Sequence, residues 1–416
     1  MKKGSVSSTL LLIILVGGFI VATARFNLVN AETSVNGIIT SDTTWTKANS
    51  PYRLESVGIS SGATLTIEPG VTVILGFLQV NGTLRARGNS TEPIYVDGEG
   101  GLITFTQSSS DWDEQTGSGS IIENALSTES NSFGININGS PKINSNSINA
   151  SIGIDGGSPI ILSNVIAGVG DGGVIDINGG SPIISKNTLT KAIFYDSYGR
   201  PESFVDWGID VKGADNVFIS DNVIYGGVKV EAGTVTIQRN LITEHDRGLL
   251  IEGGMSIFIQ NNTISNNNLV GIELRLKNSP STALTISFNN FQDNNAVNNG
   301  RNLDLGSWTK STAIDINANY NWWGTTNSSE IEGSIYDFND DFILGKVNYT
   351  PFLTEPNSQA MPDPDAPIPT PNSRSIITET QLVVIAVLAV AGLLVAVVML
   401  LRRRNISQKQ PNLQAQ

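Results

Sequence analysis

Three aspartates stand at matching places in short apolar runs, where their spacing could create a carboxylate site. They are Asp155 in GID, Asp176 in VIDIN and Asp210 in GIDVK, and each directly follows an isoleucine. If the isoleucines are buried in strands, the aspartates point outward, and stacked strands place them about 5 Å apart. That spacing suits a calcium site of hard oxygen ligands or a carboxylate pair for retaining glycoside cleavage. The alternative is a solvated acidic face on which Lys229 neutralises one charge.

Two loops supply further candidates for binding and catalysis. The insertion TKAIFYDSYGRPESFVDW carries Tyr195, Tyr198 and Trp207, whose rings could stack on sugar rings. A second loop, TEHDRG, carries His245 and Arg247 and could supply an acid or base. The alternative is that the insertion packs down as a lid and that His245 is an exposed loop residue.

A repeated phrase, I-x-x-N-x-I, indicates the elements that would position these residues. The asparagines of successive copies are 18 to 35 residues apart, which is typical of a solenoid with insertions. Stacked coils would bury the isoleucines in ladders, and we expect the asparagine amides to bond one another at a corner. Asparagine also tolerates the left-handed backbone of a tight bend. The copies are centred on Asn146, Asn164, Asn187, Asn222, Asn240, Asn262, Asn289 and a degenerate Asn319.

Short alternating runs bounded by glycine precede most copies, and they predict strands with one buried face. Each coil should therefore read strand, turn, strand, turn, without a helix. The predicted outward positions of these runs are Asn136, Asp155, Asp176, Asp210, Lys229, Leu250, Glu273 and Asp304.

The composition argues against several classes of partner and metal site. The net charge of −13 argues against nucleic acid as a partner. The chain has no cysteine and a single histidine, which excludes disulfides and leaves little for a copper or zinc site. Motifs such as GxSxG, the P-loop and HExxH do not occur.

The N-terminal end of the sequence predicts export, and the C-terminal end predicts anchoring in a membrane. Lys2 and Lys3 precede an apolar run and a small-residue cleavage signal. Near the other end, twenty uncharged residues from Leu382 to Leu401 suffice to cross a bilayer, and three arginines follow. We predict a signal peptide over 1–31, an N-terminal cap over 32–60, the β-helix over 61–318, a C-terminal cap over 319–353, a proline-rich stalk over 354–380, a transmembrane helix over 381–401 and a cytoplasmic tail over 402–416.

The runs LTIEPGVTV and NWWG, together with the N-x-I coils, resemble prokaryotic right-handed parallel β-helix repeat proteins. They are also similar to the β-helix domain of carbohydrate-binding and sugar-hydrolysing proteins and of a periplasmic copper-binding accessory protein. The resemblance spans roughly Val35 to Leu353. It implies an all-β, right-handed parallel β-helix, a solenoid of about ten to twelve coils. The many sequons, the anchor and the stalk suggest an archaeal surface protein. The resemblance leaves the function open, because this scaffold carries lyases, hydrolases, epimerases, adhesins and surface-layer components. No run matches the catalytic arginine region of pectate lyases.

We therefore predict a cell-surface, single-pass membrane protein that acts as a binding or envelope-structural module. Its expected partners are the membrane and a polysaccharide or other surface proteins, with no cofactor except the calcium considered above. The alternative is a polysaccharide hydrolase or lyase that uses the aspartates, with His245 or Arg247. Exported sequons that could carry glycans are Asn81, Asn89, Asn138, Asn149, Asn261, Asn327 and Asn348.

Overall fold

The computed structural model describes residues 31–98, 100–127, 132–168, 172–191, 194–195, 201–202, 205–276, 283–294, 300–307 and 310–367. Within these residues no helix is long and apolar enough to cross a membrane. The predicted transmembrane segment 381–401, the tail after it, residues 1–30 of the predicted signal peptide and residues 368–380 of the predicted stalk lie outside them.

Parallel strands dominate the described residues. A sheet of 22 described strands supplies two faces of the coils. Its strands are Thr33–Ile39, Tyr52–Ile59, Thr72–Ile74, Phe77–Val80, Ile94–Asp97, Leu102–Phe105, Ala125–Ser127, Phe133–Ile137, Ser147–Ile154, Val165–Gly168, Gly172–Ile177, Thr188–Lys191, Val205–Val211, Val223–Tyr225, Val228–Val230, Leu241–Thr243, Arg247–Ile251, Thr263–Ser265, Val270–Leu274, Asn290–Gln292, Leu303–Asp304 and Ile335–Tyr336.

The third face is a sheet of 11 described strands, one for each coil, which agrees with the predicted ten to twelve coils. A typical coil therefore has three strands, and the prediction of two was wrong. The strand that was missed is the one in this smaller sheet, which is only three to five residues long in each coil. These strands are Thr43–Trp45, Thr64–Ile67, Thr83–Arg87, Ile121–Glu123, Lys142–Asn144, Ile160–Leu162, Ile183–Ser185, Val217–Ser220, Thr234–Gln238, Ser256–Gln260 and Ala283–Ser287.

Among the described residues, three further strand pairs lie outside these sheets. Phe194–Tyr195 pairs antiparallel with Pro201–Glu202, and Gly306–Ser307 pairs antiparallel with Lys310–Ser311. Ile316–Asn317 pairs in parallel with Val347–Asn348 at the last coil.

Inside the coils, aliphatic side chains stack in ladders, as the repeat predicts. Each coil alone could not bury its apolar face, so every step of stacking removes more apolar surface from water. One such ladder is buried over its whole length and consists of Ile135, Ile152, Ile175, Ile209, Val228, Leu249, Ile272, Leu303 and Ile335.

The predicted asparagine ladder is confirmed. At each step, Nδ2 of one asparagine donates to Oδ1 of the next at 2.9–3.0 Å, and the backbone N–H of the same residue donates to that Oδ1 as well. Nδ2 also donates to a backbone carbonyl of the preceding coil, so these buried amides are satisfied. The members are Asn146, Asn164, Asn187, Asn222, Asn240, Asn262, Asn289 and Asn321.

Two details of this ladder differ from the prediction. Its last member is Asn321 rather than Asn319, whose Nδ2 donates to the carbonyl of Thr350. The left-handed backbone belongs to the residue before each ladder asparagine, because that residue turns the corner while the asparagine already points inward. The left-handed residues are Ser145, Ser163, Lys186, Asp221, Arg239, Asn261, Phe288 and Tyr320.

A second, shorter ladder that was not predicted begins at Asn267, five residues after Asn262 of the first ladder. Nδ2 of Asn267 donates to Oδ1 of Asn294 (2.9 Å), whose Nδ2 donates to Oδ1 of Asn302 (3.1 Å). At the start of this second ladder, the backbone N–H of His245 donates to Oδ1 of Asn267. His245 therefore lies one coil before Asn267, at the position that an asparagine occupies in the next coils.

The two ends of the stack close differently. Residues 33–59, part of the segment predicted as a cap, already form strands of the first two coils, because Thr33–Ile39 pairs in parallel with Tyr52–Ile59. At the other end, Trp323 is buried and stacks on Phe291, with ring centroids 4.8 Å apart. This region also contains a short helix that was not predicted, Ser328–Gly333, and the side chain of Asn327 caps its N-terminus.

The start of the proline-rich segment lies against the β-helix. Its residues 357–364 make hydrogen bonds to the phrases of Asn289, Asn262, Asn222 and Asn187, running back from the last coils toward the middle. We call residues 354–367 the strap. The described part of the predicted stalk is thus bound along the coils, and residues 368–380 stay a prediction.

Candidate functional site

A row of mainly polar side chains runs along the outside of one face of the large sheet. Its members lie opposite one another on successive strands, and the residues on either side of them in each strand point into the core. We call this the outer row, and it consists of Asn136, Gly153, Asp176, Asp210, Lys229, Leu250, Glu273, Asp304 and Tyr336.

Asp155 is not a member of the outer row, which corrects the prediction of three stacked aspartates. Gly153 takes the place opposite Asp176, and Asp155 follows the end of its strand, exposed, with Oδ1 accepting from Asn178 at 2.9 Å. The alternation of strands explains the error, because a shift by two residues keeps the same faces inside and outside. The glycine at the start of each run therefore does not mark which residues of successive strands lie opposite one another.

Asp176 and Asp210 are neighbours in the row, as predicted, but they share a cation. Lys212 Nζ lies 2.8 Å from Oδ1 of Asp176 and 3.6 Å from Oδ2 of Asp210. The hydrogen bond to Asp176 raises the pKa of Lys212, which outweighs the opposing effect of burial. The backbone N–H of Gly173 also donates to Asp176 (3.2 Å). This pair of carboxylates is thus held around a lysine.

Asp210 differs from the other predicted site aspartates in that it is buried and its pKa is raised. Its residue surface is 5% exposed, and among the described residues Oδ1 has no hydrogen-bond partner. Burial raises the pKa of Asp210, against the opposing charges of Lys229 and Lys212. Its carboxyl group is therefore easier to protonate than an exposed aspartate.

Farther along, charges of opposite sign alternate. Glu273 is buried and accepts from Nε of Arg275 (2.6 Å) and from Nε of Arg247. Glu252 lies 3.5 Å from Arg275 and 3.8 Å from Lys229, which also pairs with Glu231. These groups join three successive coils into one network of charge-assisted hydrogen bonds.

The row ends at an acidic and an aromatic residue bridged by an arginine. Nη1 of Arg301 lies 2.6 Å from Oδ2 of Asp304, and its guanidinium lies over the ring of Tyr336 at 4.3 Å. The N–H of Gly306 donates to the other oxygen of Asp304 (2.8 Å). Burial raises the pKa of Asp304, although the Gly306 hydrogen bond and the charge of Arg301 act in the opposite direction.

The two predicted loops meet in part. The rings of Trp207 and His245 lie 5.0 Å apart, and Nδ1 of His245 is 3.0 Å from the carbonyl of Arg247. The Arg247 side chain turns away to Glu273. Tyr195 lies in a short described strand, and Tyr198 falls outside the described residues. The structure therefore joins Trp207 with His245 and assigns Arg247 to the charged network.

The sequence contained a signal for the residues that were missed as site candidates. In several strands of this face the outward residue is followed two positions later by a group of opposite charge. Such pairs occur as DVK at Asp210, KVE at Lys229 and ELR at Glu273. Two residues apart in a strand means the same face, so these triplets predict ion pairs along the sheet.

The calcium prediction has no geometric support in the described residues. They contain no group of three or more His, Asp or Glu side chains placed to hold one metal ion. The lysine between Asp176 and Asp210 occupies the position in which a cation would neutralise them.

The predicted sequons differ in access. Asn261 is buried and its Oδ1 accepts from Nδ2 of Asn357 in the strap (3.0 Å). Asn81 and Asn149 are half-buried, and the exposed sequon asparagines are Asn89, Asn138, Asn327 and Asn348.

Comparison with known proteins supports the fold. The family model described as "Right handed beta helix region" matches residues 202–336, which is less than half of the chain. No curated protein and no solved structure matches the chain. The matched segment contains the charged network from Asp210 to Asp304. Together, the family match and the long parallel sheets show that this chain forms a right-handed parallel β-helix.

Proposed function

We propose that this protein is a membrane-anchored, extracellular binding module that holds a polysaccharide along the outer row. Its β-helix is the rigid scaffold, and the predicted signal peptide and transmembrane helix would place it at the cell surface. An envelope-structural role is included in this proposal, since binding a surface polymer and organising it require the same contacts.

The observation that supports this proposal most is the network of ion pairs around Glu273. Its guanidinium and carboxylate groups are held by one another, so they lose little freedom when a ligand arrives. Such groups donate and accept hydrogen bonds with sugar hydroxyls. Because coils repeat about every 4.8 Å, a polymer lying along the stack would meet a polar or charged group of the outer row at most steps.

Catalysis by the predicted aspartates has less support. A retaining pair needs one carboxylate free to attack and one to donate a proton. Asp176 and Asp210 instead flank Lys212, while Arg247 pairs with Glu273. The raised pKa of Asp210 favours an acid role for this residue.

The test is a screen of the full chain against a panel of acidic and neutral polysaccharides. We expect at least one to bind, with binding about tenfold weaker for Arg275→Ala. Arg85→Ala is the matched control, because Arg85 is exposed on the other sheet and its loss should leave binding unchanged. Absence of binding, or equal binding by both variants, would refute the proposal. Release of reducing ends that Asp210→Asn abolishes would favour the enzymatic alternative.

The anchoring is tested separately by labelling intact cells with a membrane-impermeant biotin reagent. We expect the body to be labelled and to remain with the membrane fraction. Deletion of residues 381–401 should release it into the medium. A labelled body that stays membrane-bound after this deletion would contradict the predicted anchor.

A further inference from the structure

The outer row continues beyond Asn136 into the N-terminal coils. Asn136 lies opposite Thr104 on the strand of the preceding coil, and Thr104 lies opposite Gln79 one coil earlier. The residues on either side of these members in each strand are buried, so the members point outward like the rest of the row. The structure thus extends the row by two coils, and both added side chains are polar and uncharged.

The surface around these three members carries no charged side chain. Positions two residues before and after a member lie on the same face of the sheet. In these three coils all such positions are uncharged, and the first charge beyond them is Asp155 in the next coil. We call this area the uncharged segment, and it consists of Phe77, Gln79, Asn81, Leu102, Thr104, Thr106, Gly134, Asn136 and Asn138.

The polar groups of the uncharged segment are accessible, in contrast to those farther along the row. Gln79 and Asn136 are exposed and Thr104 is half-buried, whereas Asp210 and Glu273 are each only 5% exposed. The two amides offer both hydrogen-bond donors and acceptors, and the threonine adds a hydroxyl. A ligand on the outer row can therefore reach more polar atoms in this segment than around the buried carboxylates.

An aromatic ring lies at the start of the uncharged segment. Phe77 is 59% exposed, two residues before Gln79 and on the same face. Beside it are the half-buried Leu102 and then Gly134, where an added Cβ would come within 2.9 Å of Leu102 Cδ1. The apolar strip is thus low beside the ring. A sugar could stack its C–H groups on such a ring while its hydroxyls form hydrogen bonds to the neighbouring amides.

The charged part of the row disfavours an anionic ligand. Its described lysines and arginines each pair with a carboxylate of the same face, and they are Lys212, Lys229, Arg247, Arg275 and Arg301. An anionic polymer would have to displace these carboxylates, and the net charge of −13 repels it as well. A neutral polymer meets neither obstacle.

We propose that the ligand of the outer row is a neutral polysaccharide, bound at the uncharged segment with one sugar ring stacked on Phe77. This inference rests on the proposed function and adds the class of the ligand and the residues that contact it. Gln79, Thr104 and Asn136 exchange hydrogen bonds with its hydroxyl groups. Because neither side carries a charge at this segment, salt hardly affects the binding.

The test uses the full chain, produced without N-glycosylation so that glycans at the sequons Asn81 and Asn138 do not cover the segment. Binding to a panel of neutral and acidic polysaccharides is measured by affinity electrophoresis at low and at high salt. Wild type is compared with Phe77→Ala and Asn136→Ala. Phe342→Ala is the matched control, because Phe342 is an aromatic residue of the C-terminal cap and is 81% exposed.

We expect a neutral polysaccharide to bind wild type and Phe342→Ala equally at both salt concentrations, and to bind Phe77→Ala about tenfold more weakly. Asn136→Ala should also weaken binding. Unchanged circular dichroism and thermal melting of the variants would exclude unfolding as the cause.

Two results would overturn this inference and leave the proposed function intact. One is tighter binding of acidic than of neutral polysaccharides, weakened by salt. The other is wild-type affinity of Phe77→Ala together with weaker binding by Arg275→Ala. Binding of no polysaccharide would overturn both the inference and the proposed function. Self-association of wild type that Phe77→Ala abolishes would also overturn the inference, since a second copy would then be the occupant.

Discussion

Replacing Asn240 by alanine should be among the most destabilising single changes in this protein. Oδ1 of Asn240 accepts from the backbone N–H and from Nδ2 of Asn222, at 2.9 and 3.0 Å. Nδ2 donates to Asn262 (3.0 Å) and to the carbonyl of Ile219 (2.9 Å). The residue is fully buried, so water cannot replace these partners without opening the coil.

The magnitude follows from the groups that lose their partners. Alanine leaves the N–H of Asn222 and the carbonyl of Ile219 without the amide that serves them here. A buried polar group left unpaired costs about 1–3 kcal/mol, so two such groups give a loss of about 4 kcal/mol in the free energy of unfolding. Asn240→Asp should be at least as harmful, because an ionised carboxylate cannot donate to the three oxygens that now surround Nδ2.

Urea unfolding followed by circular dichroism measures this loss, with Asn138→Ala as the control. Asn138 is exposed, so its replacement should change the free energy of unfolding by less than about 0.5 kcal/mol. Since solenoids can unfold in parts, amide exchange of the coils on either side of Asn240 should accompany the measurement. A loss below about 1 kcal/mol for Asn240→Ala, with unchanged amide exchange, would refute the view that the ladder stabilises the stack.

Three further predictions concern charge, the strap and the sequons. Burial raises the pKa of Asp210 above its ordinary value of 3.8, so the contribution of this group to stability is lost as pH rises from 3.8 through the raised pKa. Asp210→Asn should therefore reduce the fall of the urea midpoint over this pH interval. An unchanged dependence of the midpoint on pH would contradict this prediction. Asn357→Ala should expose residues 354–367 to protease at least tenfold faster, unlike Ser358→Ala; equal rates would contradict strap binding. Peptide mapping of exported protein should find glycan at Asn327 and none at Asn261, where modification would require release of the strap.

The architecture was predictable because its cause is local and repeated. An isoleucine, then an asparagine three residues later, recurs at every coil from Asn146 to Asn289, and stacking is the arrangement that buries both. The repeat did not reveal the third strand of each coil or the residue that takes the left-handed conformation. Both features depend on how the backbone turns between buried positions. Serine, lysine, aspartate and arginine all take the left-handed conformation at these turns, so the residue type does not reveal the turn.

The candidate site was predictable in part. Asp176 and Asp210 are adjacent outside the sheet, as their place after buried isoleucines suggested. The register that excludes Asp155 was not, because alternation is the same after a shift of two residues. The partner of the two aspartates, Lys212, follows from the charge triplets once the strands are aligned.

The sequence by itself thus determined that the chain forms stacked coils with an apolar interior and an asparagine ladder, since these features repeat at short range. Only the tertiary structure decided which charges meet across coils and where the strap lies. Lys186 and Pro364 are 178 residues apart, and Asn290 and Asn357 are 67 apart. No local pattern records such contacts, because they arise when the end of the chain returns over coils already formed.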